Sequence, residues 1–363
     1  MEFIDLQAQY QALRVPVDRA IQEVLDSSRY INGPQVKQLE AELARFVGIE
    51  HGVGFSSGTD ALLAILMAWE IGPGDEVITT PFSFIATAET IALTGAKAVF
   101  VDVSPDTLNL NPALIEAAIT PRTRAIMPVS LFGQCADLDL INAVAASHNL
   151  PVLEDACQSF GASHKGRRSC SMTTAAATSF FPAKPLGCYG DGGMAFVRDG
   201  ELAQRLRVIR EHGQVEPYRH TLIGINGRLD TLQAAILLAK LPHFEAEIQA
   251  RQQVADRYAQ RLTGKVRIPQ IRPENVSVFA QYTVRVANRV QVREALTRAG
   301  IPTAIHYPTP LHRQPVFMNM GYGDVACPVA TRAASEVLSL PMHPYLTADQ
   351  QDQVAQALLR TVA

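Results

Sequence analysis

Apolar and polar positions along this chain follow two periods. Residues 8–27 and 35–47 carry the three-to-four spacing of amphipathic helices, as in Val36, Leu39, Leu43, Phe46 and Val47. Between them Tyr30-Ile31-Asn32-Gly33-Pro34 is a turn signal. Short apolar runs then alternate with helical stretches. The runs predict strands at 51–56, 77–80, 97–102, 124–129 and 151–154, and helices opening after Ser57 and after Phe84 and spanning 112–119 and 137–148. Such alternation implies right-handed βαβ units and a mostly parallel sheet. A further apolar segment at 175–181, a strand at 194–197 and a helix over 200–212 follow. A long helix is expected from Arg228 to about Leu262, broken at Pro242, as a bridge between domains. Beyond Gly264, strands near 266–268 and 282–286 mix with helices at 291–299, 328–337 and 348–361. The expected organisation is a large α/β domain over residues 1–240, including the N-terminal helices, and a smaller α+β domain over 241–363.

Composition narrows the function classes. The chain has 363 residues, of which 47% are hydrophobic, enough for a sizeable core. Charged residues make up 18%, which suits either a large core or a large buried interface. A net charge of −3 with no basic run argues against non-specific nucleic-acid binding. Met1 to Leu6 lacks the basic and apolar regions of a secretory signal, and the apolar run Ala61 to Trp69 is too short to span a membrane. The five cysteines show neither Cys-x-x-Cys nor zinc-finger spacing. No metal is expected, and a reduced, cytoplasmic protein is.

The candidate chemistry lies between Val152 and Gly193. Asp155 follows an apolar run and sits at the carboxyl end of a predicted strand, where open α/β sheets place ligand groups. Lys184 follows the next apolar segment and is flanked by Pro182 and Pro185, which stiffen the backbone. Pyridoxal phosphate needs this pair: an amine that carries it covalently and a carboxylate beside its ring nitrogen. Alone, the lysine reads as an ordinary solvated loop residue and the aspartate as a strand-end cap or turn residue. Upstream, Ser56-Ser57-Gly58-Thr59-Asp60 opens an apolar helix, which makes either a plain N-cap or an anion site.

The segments Glu154-Asp155-Ala156-Cys157-Gln158 and Ser179-Phe180-Phe181-Pro182-Ala183-Lys184-Pro185-Leu186-Gly187 resemble the core motifs of the DegT/DnrJ/EryC/StrS sugar aminotransferases. The resemblance runs over nearly the whole chain. It implies the fold-type I architecture of pyridoxal phosphate-dependent transferases, with pyridoxal 5'-phosphate as cofactor. It makes Lys184 the catalytic lysine and Asp155 the ring-nitrogen partner. Gly58 and Thr59 match the positions that hold the cofactor phosphate, and Gln158 and Ser179 those that bind its ring oxygen and phosphate. Phe84 matches the ring stacked on the pyridine, although core packing is the commoner fate of such a residue. Asn226 matches an asparagine that reaches the neighbouring subunit's cofactor, which implies a homodimer with shared sites.

The resemblance also implies the reactants, L-glutamate and a nucleotide-linked keto sugar. Arg168-Ser169-Cys170, Gly133-Gln134-Cys135-Ala136-Asp137 and Ala304-Ile305-His306-Tyr307-Pro308 are similar to one branch of the family. That branch aminates the 3-keto group of a UDP-linked 2-acetamido uronic acid for bacterial O-antigen. Arg228 is then the candidate partner of the substrate carboxylate, against a purely structural ion pair. His306 and Tyr307 are candidates to face the sugar nucleotide, against a structural His and a core Tyr. Three alternatives stand beside this reading: another nucleotide-linked 3- or 4-keto sugar, a same-fold dehydratase, or a regulator without catalysis. Lys184 argues against the dehydratase, which has His there. The intact set of Asp155, Gln158, Ser179 and Lys184 argues against the regulator.

Overall fold

Helices α1 (Leu6–Ser27) and α2 (Pro34–Val47) begin and end where local chemistry dictates. Asp5 caps α1 by accepting the N–H of Ala8, and Ser28 stops it in the left-handed region. Pro34 starts α2 and Gly48, at φ 79°, ends it. The computed structural model describes residues 1–362.

Seven strands form the centre of the molecule: β1 (His51–Phe55), β2 (Glu76–Thr79), β3 (Lys97–Phe100), β4 (Thr123–Met127), β5 (Leu153–Asp155), β6 (Ala175–Ser179) and β7 (Gly193–Val197). Their order is β3-β2-β4-β5-β6-β7-β1. Parallel bridges from Ile126 to Val152 and from Val129 to Asp155 join its two halves. All neighbouring pairs are parallel except those that β7 makes with β6 and β1. The predicted mostly parallel sheet is therefore present.

Side chains alternate across this sheet with period two and feed separate cores. Val53, Phe55, Val77, Ala125, Met127, Ala175, Ala177, Ala195 and Val197 pack on one face with α3 (Gly58–Ala68) and α6 (Gly200–Arg210). Ile78, Ile126, Ala176, Met194 and Phe196 face the other side, with α2 and α5 (Leu138–Ser147). Helix α4 (Ala86–Leu93) covers β2 and β3.

Helix α7 (Thr231–Leu262) runs 32 residues straight through Pro242, so the expected break does not occur. Proline removes one hydrogen bond there, while Leu237, Phe244 and Ile248 bury the helix on both sides of it. The expected helix over 112–119 is two short 3₁₀ turns, Pro112–Leu114 and Glu116–Ala118. Ile115 alone buries fully there, and Pro121 drives the chain out of helical geometry. The expected strand near 266–268 is a single bridge from Arg267 to Arg285, since Pro269 cannot donate to a ladder.

The second half of α7 carries Val254, Tyr258 and Leu262 into a third core. Antiparallel β8 (Tyr282–Arg285) and β9 (Val337–Leu340) complete it, with α8 (Arg289–Arg298) and α10 (Ala348–Val362). The intervening residues, including Leu311, Phe317, Tyr322 and Ala330 at the start of α9 (Pro328–Glu336), pack back onto the large sheet. Among the described residues no helix is long and apolar enough to cross a membrane.

Candidate active site

The carboxyl ends of β5 and β6 and the start of α3 meet at one place. Asp155 closes β5 and is 4% exposed. Its Oδ2 accepts from the Thr87 hydroxyl at 2.7 Å and its Oδ1 from the Cys157 N–H at 3.2 Å. Thr87 in α4 is bonded in turn to the Ser83 hydroxyl at 2.9 Å. These bonds fix the plane of the carboxylate. Glu154, beside it, points into the protein and accepts from the hydroxyls of Ser130 and Ser169 and the N–H of Cys170. Complete burial raises the pKa of Glu154.

Gly58 opens α3, with Ser57 as its cap. A Cβ on Gly58 would lie 2.8 Å from Cys157 Sγ and 2.8 Å from Ser179 Cβ, so three segments converge on the helix start. Gly193 closes the same corner, since a Cβ there would stand 2.5 Å from the Gly58 nitrogen. The unpaired N–H groups of an α-helix start, with half-buried Thr59 in its first turn, offer donors to an anion.

Lys184 is half-buried, and its N–H donates to Phe181 O at 2.8 Å. Ser179 Oγ accepts the N–H of Phe181 at 3.2 Å, which links the strand end to the lysine loop. Lys184 is near enough to Cys157 and His306 for its charge to bear on both. Burial, and then the Lys184 charge, push His306 down to about 4. Its Nδ1 is 2.9 Å from Ser339 Oγ.

Gln158 links residues far apart in the chain. Its Oε1 accepts the Phe132 N–H at 2.9 Å, and its Nε2 donates to Tyr307 Oη at 3.0 Å. Burial and the nearby Asp155 charge raise the Tyr307 phenol above its usual range. Phe84 is 56% exposed although Phe82 and Ser83 are buried, so it is not a core residue. Its ring centroid lies 6.5 Å from that of Tyr307, with the two rings tilted at 42°.

Asn226 and Arg228 stand apart from this cluster in their bonding. Asn226 is exposed and pairs by its backbone with Glu211. Arg228 Nη1 is 3.1 Å from Glu211 Oε2, and Asn32 also donates to Glu211 at 2.9 Å. The structural ion pair weighed against a substrate role for Arg228 is thus present in the chain. Sequence reasoning missed Thr87, Ser83, Ser339 and Glu211. Only Thr87 carried a signal, standing one helical turn beyond Phe84.

Comparison with known proteins agrees with this geometry. The model of the DegT/DnrJ/EryC1/StrS aminotransferase family matches residues 13–359. A UDP-2-acetamido-2-deoxy-3-oxo-D-glucuronate aminotransferase of Pseudomonas aeruginosa is 55% identical over 95% of this chain and 96% of its own. The crystal structure of DesV from S. venezuelae superposes with a TM-score of 0.97 at 41% identity, covering 99% of this chain and 98% of that one. NtdA from Bacillus subtilis, solved with its cofactor PMP, gives a TM-score of 0.90 at 29% identity, covering 97% of this chain and 82% of that one. The chain belongs to the DegT/DnrJ/EryC1/StrS family and is a pyridoxal phosphate-dependent aminotransferase.

Proposed function

We propose that this enzyme transfers the amino group of L-glutamate to the 3-keto group of a UDP-linked 2-acetamido-2-deoxy uronic acid, in the supply of bacterial O-antigen sugars. The observation that carries the substrate is the 55% identity, across both chains' length, to the Pseudomonas aeruginosa enzyme of that specificity.

The residues fit the cofactor. Phe84 presents an uncovered ring where its neighbours are buried, as a stacked pyridine requires. Gly58 lets Cys157 and Ser179 pack against the start of α3, so that Ser179 stands beside the helix-start N–H groups that a phosphate requires. We assign the phosphate to Gly58, Thr59 and Ser179, the ring nitrogen to Asp155, the ring oxygen to Gln158, and covalent attachment to Lys184. When bound, pyridoxal phosphate supplies an electron sink for the donor carbon. Asp155, oriented by Thr87, would place its carboxylate beside the ring nitrogen and favour that nitrogen's protonated form. Lys184 Nζ, once free, takes the proton from the donor α-carbon and later returns one to the carbon being aminated. His306, neutral above about pH 4, adds no second cation beside that amine. One lysine serves both half-reactions, so kinetics should be ping-pong.

The enzyme works as a homodimer in the cytoplasm, with Asn226 completing the partner's site. In support, the hairpin of Gln214–Glu216 and Arg219–His220 that precedes Asn226 carries Tyr218 96% exposed at its turn, and Ile223 just after it is 87% exposed. The five free cysteines suit a reducing compartment. A domain division near residue 240, inside α7, fits the separate core built on the second half of that helix.

One observation favours a second reading, a nucleotide-linked keto sugar without a carboxylate: Arg228 already has a partner in Glu211. In the first reading the uronate carboxylate replaces Glu211, and His306 and Tyr307 flank the sugar. The test compares the uronate with the neutral 3-keto sugar and a 4-keto 6-deoxy sugar, for the parent and Arg228→Ala. The expected result is a parental preference for the uronate that the variant loses by about tenfold or more. Equal losses on both 3-keto substrates, or a parental preference for the 4-keto sugar, overturn the assignment.

A further inference from the structure

Lys240 lies on α7, is 2% exposed, and donates from Nζ to the carbonyl oxygen of Gly187. Its ammonium also stands 5.0 Å from the centre of the Tyr189 ring. Two turns earlier on the helix, Gln233 Oε1 accepts the N–H of Tyr189 at 2.9 Å. Residues 233 and 240 share one helix face, so α7 grips the chain on either side of Cys188, just past Lys184.

The loop that carries Lys184 transmits this grip. The N–H of Cys188 donates to Phe180 O at 2.8 Å, which closes the loop at its base. A Cβ on Gly187 would lie 2.5 Å from Pro182 O, so the backbone after Lys184 rests directly on the backbone before it. Fixing the Gly187 carbonyl therefore fixes both sides of Lys184.

An ammonium is an expensive way to fill this space. Burial pushes Lys240 down to about 8. Glu247, two turns further along, offsets part of that through its charge, but its own carboxylate is bonded to Gln9 and Tyr345. An apolar side chain would pack there without the desolvation cost, whereas only a donor can orient the carbonyl.

We propose that Lys240 is a positioning residue, which holds the Gly187 carbonyl from α7 and thereby sets the backbone from which Lys184 reaches the cofactor. The inference rests on the reading of Lys184 as the cofactor lysine. The test uses the full-length apoenzyme of the parent, Lys240→Met and Lys240→Arg. Two quantities are measured: amide hydrogen exchange across 180–190, and the rate of covalent pyridoxal phosphate capture at Lys184, read by borohydride quench and peptide mass spectrometry. In Lys240→Met, exchange at 180–190 should rise about tenfold or more while β4 and α5 stay protected, and capture should slow by a similar factor. Lys240→Arg, which keeps a buried donor, should recover part of both. Should Lys240→Met fold poorly, Gln233→Leu releases the neighbouring anchor and should shift both quantities the same way. Parental exchange and capture in a folded Lys240→Met overturn the proposal, as does exchange that rises evenly over the whole chain. Capture by the parent at a residue other than Lys184 overturns the underlying reading instead, and local exchange at 180–190 then still decides whether Lys240 anchors the loop.

Discussion

Thr87 is a single hydroxyl inside a helix, yet it holds one oxygen of Asp155 at 2.7 Å. A hydrogen bond to a charged group contributes about 1.5–3 kcal/mol, so Thr87→Val should lower turnover roughly tenfold while folding persists. Asp155→Asn should do more, at least about a hundredfold, because it removes the charge itself rather than its support. Steady-state rates with circular dichroism as the folding control check both. A parental rate in Asp155→Asn would remove it as the ring-nitrogen partner. Legibility at this scale followed chemistry. Asp155 and Lys184 were singled out by the motifs around them, since either alone reads as a strand-end cap or a solvated loop lysine. Thr87 and Ser339 were not, since a hydroxyl acquires meaning only from what the fold sets opposite it.

At the scale of elements, the start of α3 has the tightest packing argument. Gly58 touches Cys157 and Ser179 so closely that a methyl group must displace one of them. Gly58→Ala should therefore weaken pyridoxal phosphate binding by about tenfold or more, read by fluorescence titration of the apoenzyme. Unchanged affinity would move the phosphate away from this helix start. The sheet and most helices were legible because their periodicity is long and regular. The expected helix over 112–119 failed because one buried isoleucine does not make a face, and Pro121 follows. The expected break at Pro242 failed because packing on both sides of the proline outweighs one lost hydrogen bond. The first is a local pattern too weak to hold a helix, and the second is tertiary packing overriding a local breaker.

At the scale of the whole molecule, the order of the strands places Asp155, Ser179 and the α3 start together, although more than a hundred residues separate the first and last of them. Strand order was not readable from the sequence, since periodicity identifies strands without pairing them. The projecting hairpin before Asn226 argues that the working unit is larger than one chain. Mixing inactive Lys184→Ala with inactive Asn226→Ala should restore activity toward about a quarter of parental, once subunits exchange, because half the subunits pair across mutants and each such dimer holds one intact site. Fully active monomers in sedimentation would contradict shared sites.

The central claim is that Lys184 is the residue on which the cofactor is carried and released. Borohydride reduction of the purified holoenzyme, followed by peptide mapping, tests it most directly. The account predicts one pyridoxyl group per chain, on Lys184, and loss of that label when glutamate is added before reduction. A label on another lysine, or a Lys184 label that glutamate leaves in place, would contradict it.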